Sequence, residues 1–113
     1  MIDHLRPSQL PSWFKAASND ASAVVLDVRE PWELQTAAVK PDGFTLVTIP
    51  MGEIPTRLKE LAPDQAIACL CHHGVRSMQV ALFLHNRGFE KLANVAGGID
   101  AWSVERDKQV PRY

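Results

Sequence analysis

The sequence predicts an α/β fold built on a mainly parallel sheet. Three observations carry that prediction. Short β-branched or apolar runs alternate along the chain with stretches of helical periodicity, the pattern of strands joined by right-handed crossovers. The run Val24-Val25-Leu26-Asp27-Val28 is too continuously apolar for a half-exposed strand and reads as one buried on both faces. At 113 residues the chain is about one domain, 1–113, of a size that buries roughly 65–70% of the surface its unfolded form exposes.

The elements follow in order. Leu10, Trp13, Phe14 and Ala17 share one helical face, with Pro7 and Ser8 as start signals, so the first long element is helical. Asn19-Asp20 punctuates the chain before the Val24–Val28 strand. Pro31 opens a helix ahead of Trp32, Glu33 and Leu34, because the first helical position has no use for an N–H. Pro41-Asp42-Gly43 supplies a turn, and Phe44 to Ile49 reads as the next strand. Ile54, Leu58 and Leu61 are spaced for a short helix ended by Pro63. Ala66 to Cys71 is a further strand. In the helix after it Met78, Ala81, Leu82 and His85 share a face, and Gly88, with Phe89 behind it, stands where helices end. Leu92 to Val95 is the last strand. Gly97-Gly98 opens a short helix through Ala101 and Trp102; from Ser103 the tail turns polar, and Pro111 argues against more helix. Trp13, Trp32 and Trp102 read as core or half-buried packing residues.

Composition narrows the function classes. Twelve basic and thirteen acidic residues leave a net charge of −1, so no basic field points to nucleic acid. No apolar stretch approaches the ~20 residues of a membrane span, and Met1 to Pro7 lacks the apolar core of a secretory signal. A soluble, cytoplasmic protein with neither nucleic-acid nor membrane partners is expected. Cys69 and Cys71 lie at i and i+2 of one strand, where geometry resists a bridge, so free thiols in a reducing compartment fit best.

Cys71 is the most informative position. It stands where the apolar run gives way to His72-His73-Gly74-Val75-Arg76-Ser77 and a helical pattern, so a strand end, a tight loop and a helix N-terminus meet at one thiol. Such a loop can curl its N–H groups inward as an anion-binding nest, and the helix adds its positive dipole end. Those conditions favour a thiolate and hold an anionic substrate beside it. Ligands of open parallel sheets also bind beyond the carboxyl ends of strands, where Cys71 falls.

Four segments in this order resemble the rhodanese-like sulfurtransferases: Leu26-Asp27-Val28-Arg29-Glu30-Pro31-Trp32-Glu33, Ile49-Pro50, Cys71-His72-His73-Gly74-Val75-Arg76-Ser77, and Val95-Ala96-Gly97-Gly98-Ile99-Asp100-Ala101-Trp102. From the first to the last they span most of the chain. Asp-Val-Arg alone is a weak signal, whereas its combination with Cys-x4-Arg and Gly-Gly-x-x-Ala-Trp is specific. The chain departs from the family pattern at Gln35 to Gly43, which stands where members usually read Gly-His-Ile-Pro-Gly-Ala. The resemblance implies a rhodanese-like α/β domain of about five strands flanked by helices on both faces, with no cofactor. It also implies a ping-pong reaction in which Cys71 takes the outer sulfur of thiosulfate or a persulfide donor. Cyanide or a thiol, or alternatively a protein acceptor, then receives that sulfur.

The individual residues divide into roles. Four residues separate Cys71 from Arg76, one fewer than in the cysteine phosphatases that resemble rhodaneses in fold. The smaller ring leaves less room for a phosphoryl group, and Asp27, Glu30 and Glu33 offer no compelling general acid, so sulfur transfer ranks above phosphate or arsenate chemistry. A non-catalytic persulfide carrier is the rival in another class. His72, His73, Gly74, Val75, Arg76 and Ser77 form the expected substrate cradle. Arg76 either contacts the anionic donor or anchors the loop by pairing with a carboxylate, and both readings keep it near the thiol. Asp27 and Arg29 support the site, as an ion pair bracing the sheet end. Cys71, His72 and His73 match zinc's ligand tastes, yet adjacent residues in one turn seldom aim three ligands at one point, so no metal is expected. Instead the histidines shape the pocket rim. Cys69 reads as core, with a resolving or relay role as its alternative.

Overall fold

The continuously apolar runs are the central strands of one parallel sheet. In the computed structural model, which describes residues 2–17 and 23–113, the strands are Ile2–Leu5 (β1), Ala23–Asp27 (β2), Thr45–Thr48 (β3), Ala66–Leu70 (β4) and Leu92–Val95 (β5). They lie in the order β1-β5-β4-β2-β3, every pair parallel. Every residue of β2, β4 and β5 is buried, whereas β1 and β3 carry exposed residues, as central and edge strands of a covered sheet should.

Alternation along the strands divides the core into two layers. On one face Val25, Ala68, Leu70, Ala93 and Val95 pack against Leu10 and Phe14 of helix Leu10–Ala17 (α1) and Ile99 and Trp102 of helix Gly98–Glu105 (α4). On the other, Val24, Leu26, Ile67, Cys69, Cys71 and Leu92 meet Val80, Ala81 and Leu84 of helix Val75–His85 (α3). Burying Val80 and Leu84 contributes about 1.5–3 kcal/mol each, which fixes α3 and the loop before it to the sheet. Helices cover both faces, as the resemblance implied.

Several local readings are corrected. β1 was not expected; only Ile2 and Leu5 of its four residues are partly buried, too short a signal for a strand pattern. The segment with Ile54, Leu58 and Leu61 is two 3-10 turns, Met51–Glu53 and Leu58–Glu60, that bury Ile54 and Leu61 without forming an α-helix. The buried face of α3 is Ser77, Val80, Ala81 and Leu84, not the one through Met78 and His85, and Leu82 is exposed. Burial of Val80, Ala81 and Leu84 and the hydrogen bond from Ser77 to Asn94 lie on the same side of the helix. The α3 helix closes as expected, with the Phe89 N–H on the Leu84 carbonyl behind Gly88. α4 runs on through Glu105, because Ser103 faces inward and donates to the Val110 carbonyl. Helix Pro31–Thr36 (α2) starts at its proline, but its buried residue is Glu33, and Trp32 is 62% exposed rather than packed. Asn19-Asp20 lies outside the described residues.

Candidate active site

The C-terminal ends of β2, β4 and β5 converge on one thiol. β4 ends at Leu70, whose carbonyl accepts the Val28 N–H at 2.9 Å, so Cys71 is the first residue beyond the ladder. It is only 1% exposed. Its Sγ accepts the Gly74 N–H at 3.0 Å, and its thiol donates to Ser77 Oγ at 3.3 Å. Ser77 in turn donates to Asn94 Oδ1 at 2.5 Å, and the Asn94 amide donates to the Gly74 carbonyl at 3.1 Å. The loop is thus closed into a hydrogen-bonded ring, with Gly74 in the left-handed conformation (φ 109°) where it turns into α3.

α4 braces the ring from behind. The Ile99 and Asp100 N–H groups donate to the carbonyls of Cys71 and His72 at 2.8 and 3.3 Å, two otherwise unpaired donors of a helix start meeting two loop acceptors. This approach requires Gly98: a Cβ there would lie 2.3–2.5 Å from the His72 and Cys71 backbone, at φ +59°.

Arg76 closes the far end of the loop as a fork on a carboxylate. Its Nη1 and Nη2 donate to Glu33 Oε1 and Oε2 at 2.6 and 2.8 Å, with the Glu33 side chain 3% exposed. Glu33 also accepts the Tyr113 hydroxyl at 2.6 Å and the Glu30 N–H at 3.0 Å. The Arg76 fork above all, with these two donors, outweighs burial and holds the Glu33 carboxyl at about 2. Arg76 is thus anchored on a carboxylate, with its side chain 34% exposed. Asp27 and Arg29 form the bracing pair, Nε–Oδ1 2.9 Å and Nη2–Oδ2 2.7 Å, both essentially unexposed. Both carboxylates are thus engaged by guanidinium groups, Asp27 by Arg29 and Glu33 by Arg76.

Val75 is 70% exposed and His73 is exposed, while the His72 ring is sandwiched between His73 (4.0 Å, 23°) and Tyr113 (3.9 Å, 7°). The imidazoles therefore stack rather than converge, and among the described residues no group of three His, Cys, Asp or Glu side chains gathers to hold a metal. Cys69 is fully buried in the core, and burial, then the neighbouring Cys71, pushes its thiol up to about 12. No described helix is long and apolar enough to cross a membrane.

Sequence reasoning did not assign Asn94, Tyr113 or the pairing of Glu33. Asn94 carried a signal, as the polar member of the buried strand Leu92-Ala93-Asn94-Val95. Tyr113 carried none, standing 80 positions from its partner Glu33.

A family model described as a rhodanese-like domain matches residues 10–105. The chain belongs to the rhodanese-like family. The thiosulfate sulfurtransferase GlpE of Vibrio cholerae is 31% identical over 88 residues, which cover 78% of this chain and 79% of that protein. The chloroplastic rhodanese-like/PpiC domain-containing protein 12 of Arabidopsis thaliana is 37% identical over 95 residues, 80% of this chain, but the chain spans only 30% of that relative's length. Among solved structures, the rhodanese-related protein of Thermoplasma volcanium superposes with a TM-score of 0.73 at 31% identity, covering 92% of this chain and 93% of that one. At family level the chemistry these relatives support is sulfur transfer.

Proposed function

We propose that this rhodanese-like chain is a sulfurtransferase that moves the sulfane sulfur of thiosulfate or a persulfide donor to cyanide or a thiol through a persulfide on Cys71. The observation that carries the reading is the Cys71 sulfur receiving the Gly74 N–H at 3.0 Å inside a loop that reaches Arg76 after only four residues. A thiolate there attacks the outer sulfur of thiosulfate; the S–S bond breaks, sulfite leaves with the electron pair, and Cys71 becomes a persulfide anion. Cyanide then attacks the terminal sulfur and leaves as thiocyanate, returning the thiolate. With a thiol acceptor the product is a new persulfide, and the thiol proton goes to solvent.

The residues supply the electrostatics that both displacements need. The Gly74 amide stabilises sulfur anions at both stages, and the Ser77 hydroxyl, 3.3 Å away, can turn its proton from Asn94 toward the anionic sulfur. Arg76 anchors the loop and lends its charge, while Asp27 and Arg29 brace the sheet end beneath. Both cysteines are free, which suits a reducing, cytoplasmic setting in which the thiolate is regenerated. Intact mass after brief exposure to thiosulfate tests the reading: a single added, reductant-labile sulfur mapped to Cys71, lost in Cys71→Ser, is expected. An adduct on Cys69 alone, or Cys71-dependent hydrolysis of aryl phosphates, overturns it. A persulfide that forms without turnover transfers the reading to a carrier.

A further inference from the structure

The tail beyond α4 is tied down rather than loose. Ser103 holds the Val110 carbonyl at 2.5 Å, Val110 is buried, and Arg112 forks onto Asp100 at 2.8 and 3.1 Å. These ties deliver Tyr113 to the site. Its ring lies parallel to His72 at 3.9 Å, with Trp32 edge-on at 6.2 Å. Its hydroxyl accepts from Arg29 Nη1 at 3.1 Å and donates to Glu33 Oε2 at 2.6 Å. Tyr113 thereby touches both ends of the cysteine loop, the residue after Cys71 and the carboxylate that anchors Arg76.

We propose that Tyr113 is a positioning residue for the cysteine loop: its ring fixes His72, and its hydroxyl, donating to Glu33, limits how far that carboxylate neutralises Arg76. The inference rests on the reading of this loop as the site of an anionic donor. Two donors share Glu33 Oε2, the Tyr113 hydroxyl and Arg76 Nη2, at 2.6 and 2.8 Å. Charge drawn by the phenol is not available to the guanidinium, and Arg29, hydrogen-bonded to the phenol oxygen, makes the phenol a stronger donor. Without the hydroxyl, Glu33 falls wholly to Arg76 and Glu30, and the loop loses positive potential. Anions approaching Cys71 then suffer and neutral molecules do not. The depression of the Glu33 carboxyl, to which the Tyr113 hydroxyl contributes, agrees with this sharing.

The test compares alkylation of Cys71 by iodoacetate, an anion, with that by neutral iodoacetamide, mapped by peptide mass in the full chain. Tyr113→Phe keeps the ring and removes the hydroxyl. It is expected to lower the iodoacetate rate about 3- to 10-fold relative to iodoacetamide, part of the effect of a charge-assisted hydrogen bond, with thermal melts reporting a folded protein. Tyr113→Leu should lower the ratio similarly and also change both absolute rates, because the His72 stack is lost. The KM for thiosulfate should rise in Tyr113→Phe with kcat little changed. An unchanged ratio in Tyr113→Phe, or equal changes for both reagents, overturns the proposal. The alkylation ratio needs no turnover, so a wild-type protein inert toward sulfur donors overturns the functional reading and leaves this test standing.

Discussion

Replacing Glu33 with glutamine keeps the side chain's shape and removes the charge on which the far end of the loop depends. The carboxylate oxygens receive four donors: Arg76 Nη1 and the Glu30 N–H on Oε1, Arg76 Nη2 and the Tyr113 hydroxyl on Oε2. In glutamine one of those oxygens becomes an NH2 group facing donors. A carboxyl held at about 2 rather than its usual 4.5 corresponds to on the order of 3 kcal/mol of native-state preference for the ionised form. Because the Arg76 side chain is 34% exposed, solvent screening brings the expected loss for Glu33→Gln nearer about 2 kcal/mol. The pH dependence fixes the sign. Above 4.5 both the folded and the unfolded carboxyl are ionised, and the contribution is complete. As pH falls from 4.5 toward about 2 the unfolded chain takes up a proton that the folded one refuses, and the contribution is lost. Urea denaturation of the two proteins should therefore show a gap of about 2 kcal/mol at pH 7, unchanged at pH 5, and shrinking steadily below about pH 4.5. A gap under about 0.5 kcal/mol at pH 7, or one that widens on acidification, refutes the reasoning.

Two further perturbations probe the same loop. Gly98→Ala forces a Cβ to within 2.5 Å of the Cys71 and His72 carbonyl groups at a positive φ. It should cost about 2–5 kcal/mol and slow alkylation of Cys71; a wild-type melting temperature would contradict the close approach of α4. Native-state alkylation between about pH 6 and 10 should label Cys71 alone, since burial pushes Cys69 up to about 12. Double labelling of folded protein would remove Cys69 from the core.

The central strands were readable because their signal is local. A parallel strand buried on both faces is mostly apolar at consecutive positions, as β4 is throughout and as β2 and β5 are apart from Asp27 and Asn94. The place of Cys71 was readable for the same reason: apolar run, tight loop and helix start adjoin in sequence. The Asp27–Arg29 pair was expected from the family resemblance, and its partners stand only two positions apart.

What the sequence by itself determined was therefore the central strands, the strand end that carries the thiol, and the loop beyond it. The tertiary structure decided what holds that loop. β1 exists because crossovers bring Ile2 beside Leu92, and a half-exposed edge strand leaves no apolar run to announce it. Of the apolar stripes that α3 offers, the sheet takes the one through Val80, Ala81 and Leu84, on the same side as Ser77, which reaches Asn94 17 positions away. Arg76 finds Glu33 across 43 positions, and Tyr113 finds the same carboxylate across 80. Periodicity and turn chemistry report how a segment folds on its own. The partner of a buried charge depends on which strand ends the sheet order sets side by side, and that order is a property of the whole packed chain.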